Sequence, residues 1–358
     1  HPGISFRLES DRQNVTLKRA KITVGVWTTE TESQVLVPYE GKELKPFTKY
    51  NVAVTAEDDA GETAKAVTAF ETGRMGTVWK GKWISDPGYS FTEKKVSPIP
   101  MMFRKKLSFQ KKVKQAKLYV TAMGIYELMI DGAKVGNQYF APGFTSYKHE
   151  MQYQTYDVTE MLNGNGGEHT LTAVVAGGWA VGSFVFTRVN RFDADRQALL
   201  AELRITYEDG SEEVIGTDDT WEVTEDGPYR MADIYDGETY DATIDETNIS
   251  WRKAAPEQLK FTPNLIADYG SPVKAHEEMK PVSCKKQPGG TFIYDFGQNF
   301  AGVVKLNIKK AAKGQVIIVK HAEILNRDGS LNTKFLRTAK AAAEYTCRDG
   351  GQEYSPRL

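Results

Sequence analysis

Six Asp-Gly pairs punctuate the chain, at Asp131-Gly132, Asp209-Gly210, Asp226-Gly227, Asp236-Gly237, Asp328-Gly329 and Asp349-Gly350. Asp-Gly between apolar arms is a strong hairpin signal, because both central residues of a type I′ turn need positive φ. So much tight-turn chemistry, with few helical runs between, predicts an all-β chain. The richest stretch is Leu118 to Leu162. A strand over Leu118 to Ala122 meets Gly124, and then arms Ile125 to Ile130 and Ala133 to Val135 flank Asp131-Gly132. Alternation places Tyr126, Leu128 and Ile130 on one face and Glu127 on the other, as in a half-buried strand. The aromatics that follow, Tyr139, Phe140, Phe144, Tyr147, Tyr153 and Tyr156, fit either a core or a sugar platform.

At 358 residues the chain is long enough for two or three domains. Lysine and arginine total 46 against 47 aspartate and glutamate. Without a basic excess, nucleic acid and anionic membrane are disfavoured as partners. No apolar run reaches membrane-spanning length. Cys284 and Cys347 make neither a disulfide framework nor a zinc site and are expected as buried thiols. The opening His1-Pro2-Gly3 does not reveal the compartment, for which a periplasmic or secreted location is the expectation.

Read in order, strand-like runs at Lys21 to Thr28, Ser33 to Val37, Lys49 to Ala56 and Lys65 to Glu71 suggest a first sandwich, residues 1–74. Within it Leu44-x-Pro46-x-Thr48-x-Tyr50 resembles the tyrosine corner of fibronectin type III domains. Gly73 to Gly76 reads as a linker. Trp79 and Trp83 then read as core plugs at the start of a second domain, residues 75–262. Strands are expected at Met101 to Leu107, Leu171 to Val175, Ala198 to Tyr207, Glu213 to Gly216 and Trp221 to Val223. Asp157 to Leu162 should form one helical turn before the glycine-rich break at Asn163 to Gly167, Gly177 to Gly182 a flexible loop, and Ile249 to Leu259 a short helix. A third domain, 263–358, is expected as a sandwich in which Val303 to Ile308 and Gln315 to Lys320 form a hairpin through Lys313-Gly314. Tyr354 to Leu358 ends without a capping element, which reads as a cut.

Glycoside hydrolysis uses paired carboxylates. The best local cluster, Asp233, Asp236, Glu238 and Asp241, is turn-rich and is expected as solvated surface or turn capping. Asn190, Asp193 and Asp195 could offer oxygen ligands to calcium but lack the spacing that makes such a loop specific. His321 and Glu323, two apart on a strand, could pair as base and orienting group. No Gly-x-Ser-x-Gly motif or phosphate-cradling glycine loop accompanies them. Trp179, an indole among glycines, is a candidate for stacking on a sugar ring or for burial against a neighbouring domain.

Gly124 to Leu128, Asp131 to Gly136, Ala141 to Tyr147 and Tyr153-x-x-Tyr156-Asp157-Val158-Thr159 closely resemble the N-terminal region of bacterial alpha-L-rhamnosidases of glycoside hydrolase family 78. The likeness continues through Trp79 to Ile84, Gly177-Gly178-Trp179, Gly237 to Ala242, Tyr294 to Asn299 and His321-Ala322-Glu323. It implies tandem β-sandwiches: a fibronectin type III-like domain, a jelly roll similar to a carbohydrate-binding module, and a further sandwich. In the family an (α/α)6 barrel follows, whose acidic residues release terminal alpha-L-rhamnose with inversion. No such segment is legible here, so the resemblance carries over no catalytic residue. It implies a scaffold whose partners are that barrel and a rhamnose-containing glycan, with Trp179, Tyr147 and Glu238 as the candidate carbohydrate contacts; Asn190, Asp193 and Asp195 stay the candidate calcium ligands read from the residues above. Two positions depart from the family pattern: Ala180 follows Trp179 where an aromatic is usual, and Thr243 stands where arginine is common. The rival expectations are a rhamnose- or pectin-binding module without catalysis and an active hydrolase in its own right.

Overall fold

A computed structural model describes residues 2–89, 96–163 and 167–358. Most of the Asn163 to Gly167 break thus lies outside the described residues. The chain divides into two compact units, His1–Val78 and Trp79–Leu358, and among the described residues its regular elements are almost all strands, as the turn chemistry predicts.

In the first unit four antiparallel strands run side by side in the order Trp27–Thr31, Leu17–Val24, Lys49–Asp58, Thr63–Glu71. Alternate residues Ala20, Ile22, Val24, Val52, Val54 and Ala56 point inward, where Val37 and Tyr39 cover them. The expected run Lys21 to Thr28 is broken at Gly25, whose φ of 58° only glycine adopts cheaply. The Tyr50 hydroxyl accepts the N–H of Lys45 at 2.9 Å, which is the bond a tyrosine corner makes.

The second unit begins with two facing sheets. One has the order Ala133–Lys134, Ile125–Ile130, Glu168–Ala176, Met101–Ser108, Glu222–Thr224, Arg252–Lys253. The other has the order Ala255–Pro256, Ile84–Ser85, Ala198–Tyr207, Val113–Met123, Glu150–Asp157, Asn264–Ala267. Phe103, Leu118, Val120, Leu128, Leu171, Ala173, Leu203, Ile205 and Trp221 fill the space between them. The Asp131-Gly132 turn has φ of 51° and 78°, as type I′ demands, and sets Ile130 opposite Ala133.

Four expectations are corrected here. Ile125–Ile130 is buried on both faces rather than one, so Glu127 lies inside. Ile249 to Leu259 is not helical. Arg252–Lys253 and Ala255–Pro256 are edge strands, and Pro256 disfavours helical backbone at the residue before it. Gly178–Val181 forms a helical turn where a loop was expected. Cys284 is exposed, while Cys347 is buried as anticipated.

Residues 229–241 and the C-terminal region share a four-stranded sheet in the order Tyr229–Asp233, Gly237–Asp241, Ala342–Thr346, Val316–Lys320. Gly237–Asp241 and Ala342–Thr346 run parallel. The hairpin expected around Lys313-Gly314 does not form. Val316–Lys320 pairs with Ala342–Thr346, and Leu306–Ala311 pairs with Gly350–Tyr354 in a different sheet. A turn signal fixes where the chain reverses, not which strand it then joins. Tyr345 and Tyr354 stack with centroids 4.3 Å apart in the core between these sheets.

Candidate functional site

The acidic motif Gly237 to Asp241 sits on a strand covered by Ala342–Thr346 and by the segment after Gly350–Tyr354. Burial therefore replaces the solvated surface expected of Asp233, Asp236 and Glu238. Glu238 is 1% exposed. One of its oxygens accepts the Tyr354 hydroxyl at 2.9 Å, and the other accepts the N–H groups of Arg357 at 3.0 Å and Leu358 at 3.1 Å. Burial, opposed by these bonds and reinforced by nearby Glu127, pushes its carboxyl up to about 7. Glu127, 3% exposed, takes the Arg357 guanidinium at 2.8 Å and the Lys134 ammonium at 2.9 Å.

Asp233 does cap a turn, accepting the N–H of Tyr235 at 2.8 Å. Its other oxygen is buried and accepts Ser183 N–H at 2.7 Å and the Ser97 hydroxyl. Asp236 pairs with Arg188. Asp241 is the member that behaves as a turn residue alone, holding Thr243 through N–H and hydroxyl at 2.9 and 2.7 Å. Glycosidase carboxylates must face a substrate between them. Glu127 and Glu238 instead face their own backbone and cations, so this cluster ties the C-terminal segment to the jelly roll.

A second group of candidates lies around Trp179. Its ring is half-buried, with Phe140 at 6.3 Å and Phe144 at 6.0 Å, and it packs into two apolar clusters. Tyr147 is 1% exposed and donates its hydroxyl to Gly143 C=O at 3.2 Å, so it presents no ring to a dissolved sugar. Of the candidate calcium ligands, Asn190 and Asp195 are engaged with other protein groups. The Asn190 amide is buried, donating to Val96 C=O at 2.8 Å and accepting from Arg191 at 2.9 Å. Asp195 meets the Lys260 ammonium at 2.6 Å. Burial raises the Asp193 carboxyl above the usual range, against the opposing pull of the Lys148 ammonium. Among the described residues no three His, Cys, Asp or Glu side chains stand together as a metal cluster. His321 lies beyond the end of Val316–Lys320, not on the strand, and its Nδ1 meets Ala341 C=O at 2.9 Å. Both it and Glu323 are exposed.

Sequence reasoning missed Glu127 and Arg357 as partners of the Glu238 cluster. The available signal was a single carboxylate inside the apolar run Ile125-Tyr126-Glu127-Leu128-Met129-Ile130. It also missed Phe184, Phe186 and Phe192, which share a loop on the solvent side of Trp179.

The fold thus defines a class, a tandem array of β-sandwich modules with an acidic tie between the second and the C-terminal strands. Family models match in the same order. They are a Rha78A-like N-terminal immunoglobulin domain on residues 1–76, an alpha-L-rhamnosidase N-terminal domain on 111–286, and a bacterial alpha-L-rhamnosidase concanavalin-like domain on 285–358. The chain belongs to the alpha-L-rhamnosidases of glycoside hydrolase family 78, whose N-terminal β region it matches. The first module is therefore described better as immunoglobulin-like than by its fibronectin-like corner alone.

An alpha-L-rhamnosidase of Formosa agariphila is 31% identical over 354 residues, covering 93% of this chain and 38% of the relative. One from Streptomyces avermitilis is 36% identical over 257 residues, covering 69% and 24%. The chain thus spans well under half the length of these relatives. Among solved structures, the Aspergillus terreus alpha-L-rhamnosidase superposes with a TM-score of 0.87 at 28% identity, over 99% of this chain and 43% of the other. The Dictyoglumus thermophilum enzyme gives 0.86 at 30%, with the same coverage.

Proposed function

We propose that these residues are the β framework of an enzyme that removes terminal alpha-L-rhamnose from glycosides, and that they bring no catalytic group of their own. The observation that carries this reading is the internal commitment of the Glu127 and Glu238 carboxylates, the best-placed acid pair, to Tyr354, Arg357 and Lys134. The framework braces a catalytic domain elsewhere in the same polypeptide, which holds the rhamnose-containing glycan. Nitrophenyl rhamnoside is the test. The 358-residue chain should release no nitrophenol, whereas the complete product of its gene should. Release by the chain alone overturns the framework reading, and an inactive gene product overturns the assignment to a rhamnosidase. A second reading, sugar capture by a non-catalytic module, rests on the half-exposed Trp179 beside Phe144. Calorimetric titration with rhamnose, with and without calcium, tests it, and no heat at millimolar sugar removes it.

A further inference from the structure

The loop 184–192 is inverted relative to an ordinary surface loop. Three of its polar side chains, those of Arg188, Asn190 and Arg191, turn inward. Arg188 donates to Thr338 C=O at 2.7 Å and to the Asp236 carboxylate. Asn190 is buried on Val96, and Arg191 donates to the Tyr89 hydroxyl at 2.7 Å and Asp195 C=O at 3.1 Å. Its apolar side chains turn outward. Phe144 and Phe192 are 57% and 56% exposed, and Phe186, Val185 and Val189 are exposed beside them. Phe184 joins the rings into one shelf, with centroids 5.6 Å from Phe144 and 6.0 Å from Phe192, and Trp179 underlies Phe144.

Val185, Arg188 and Arg191 all hold φ of 56°, a backbone conformation that is unfavourable for non-glycine residues and most of all for β-branched valine. Such strain persists only where surrounding bonds enforce it, and here the inward polar bonds do so. Nothing in the packing of the chain itself rewards an array of rings held toward water. Contiguous exposed apolar surface of this kind marks an interaction site.

The chemistry of the shelf selects the partner. A sugar platform needs several hydrogen-bonding groups beside its rings, but Arg188, Asn190 and Arg191 face inward and are engaged, which leaves the Thr187 hydroxyl as the loop's one exposed polar side chain. An apolar protein surface needs none. The chain covers only 43% of each of two rhamnosidase structures that it superposes on over nearly its whole length. The remainder of a family-length polypeptide would be tethered near the shelf at high effective concentration. We propose that the shelf of Phe144, Phe184 and Phe192 is the docking face for another domain of the same alpha-L-rhamnosidase polypeptide. This inference rests on the framework reading given above.

Hydroxyl-radical footprinting at low micromolar concentration tests it, comparing the 358-residue chain with the complete gene product. Phe144 and Phe192 should oxidise readily in the chain and roughly fivefold more slowly in the complete product, as for rings in a desolvated interface core. Equal rates overturn the proposal. Protection that grows with concentration assigns the face to a second copy, and protection of the chain by added rhamnose assigns it to sugar, and either overturns it as well. The double variant Phe144→Ser/Phe192→Ser should leave the melting temperature of the chain unchanged and abolish protection of Phe184 in the complete product. A lowered melting temperature in the chain would make the rings core residues and overturn the proposal too. The readout is ring oxidation, so its failure leaves the rhamnosidase activity of the complete product standing, and loss of that activity leaves the footprint intact.

Discussion

Glu238 shows how a single carboxylate couples stability to pH. Its folded-state value of about 7 lies above that of an exposed glutamate. Between roughly pH 4.5 and 7 the folded chain holds a proton that the unfolded chain has lost, so this group makes stability fall as pH rises and adds no slope above that window. The groups facing it are Tyr354, Glu127, Arg357, Tyr229 and Tyr240, and the rise from 4.5 to about 7, with its own bonds already opposing it, corresponds to about 3 kcal/mol across the window. Urea titrations of the wild type should show this decline across pH 5–7, and Glu238→Gln, which keeps the carbonyl acceptor, should flatten it. An unchanged slope in the variant would mean that another group titrates. The motif around Glu238 was legible, but its burial was not. Composition made Asp233 to Asp241 look like solvated turns, and the residues that bury it, Ala343, Tyr354 and Arg357, lie about a hundred positions away in no local pattern.

Among elements, the turn and register of the Asp131-Gly132 hairpin were readable because their information is local, whereas the burial of both faces of Ile125–Ile130 was not. Both φ values are positive, and a side chain on Gly132 would meet nothing within 4 Å. Gly132→Ala should therefore cost about 1–2 kcal/mol from backbone conformation alone. Asp131→Ala should cost about 1–3 kcal/mol, because its carboxylate also holds Thr170 N–H at 2.8 Å and buried His169 at 2.7 Å. Denaturant midpoints of the two variants check this, and an Asp131→Ala protein as stable as wild type would remove the carboxylate's structural role. Lys313-Gly314 is the contrast. Gly314 turns as its φ of 83° requires, yet the strands it joins belong to different sheets. That choice is made by long-range packing around Tyr345 and Tyr354, which alternation along a strand cannot encode. The supposed helix at Ile249 to Leu259 failed for a related reason: its residues complete the edges of two sheets already built by distant strands.

For the whole molecule, the described residues leave large apolar side chains in water well beyond the Trp179 shelf, including Phe292, Tyr294, Val316, Ile318 and Phe335. The native chain should accordingly bind a hydrophobic dye such as anilinonaphthalene sulfonate while keeping the near-ultraviolet dichroism of packed tyrosines and tryptophans, which a molten globule would lose. Absence of dye binding would show these side chains to be covered. Sandwich architecture and family were legible from turns and motifs, whereas which surfaces stay open was not, since exposure is decided by the final packing. The parallel pairing of Gly237–Asp241 with Ala342–Thr346 also sets a schedule. During synthesis at about 5–20 residues per second, roughly a hundred residues must emerge between the two, so the first strand waits some 5–20 s with one edge bare. Closing so long a loop before any reward places this pairing among the slow steps in folding and leaves an interval open to mispairing between nascent chains.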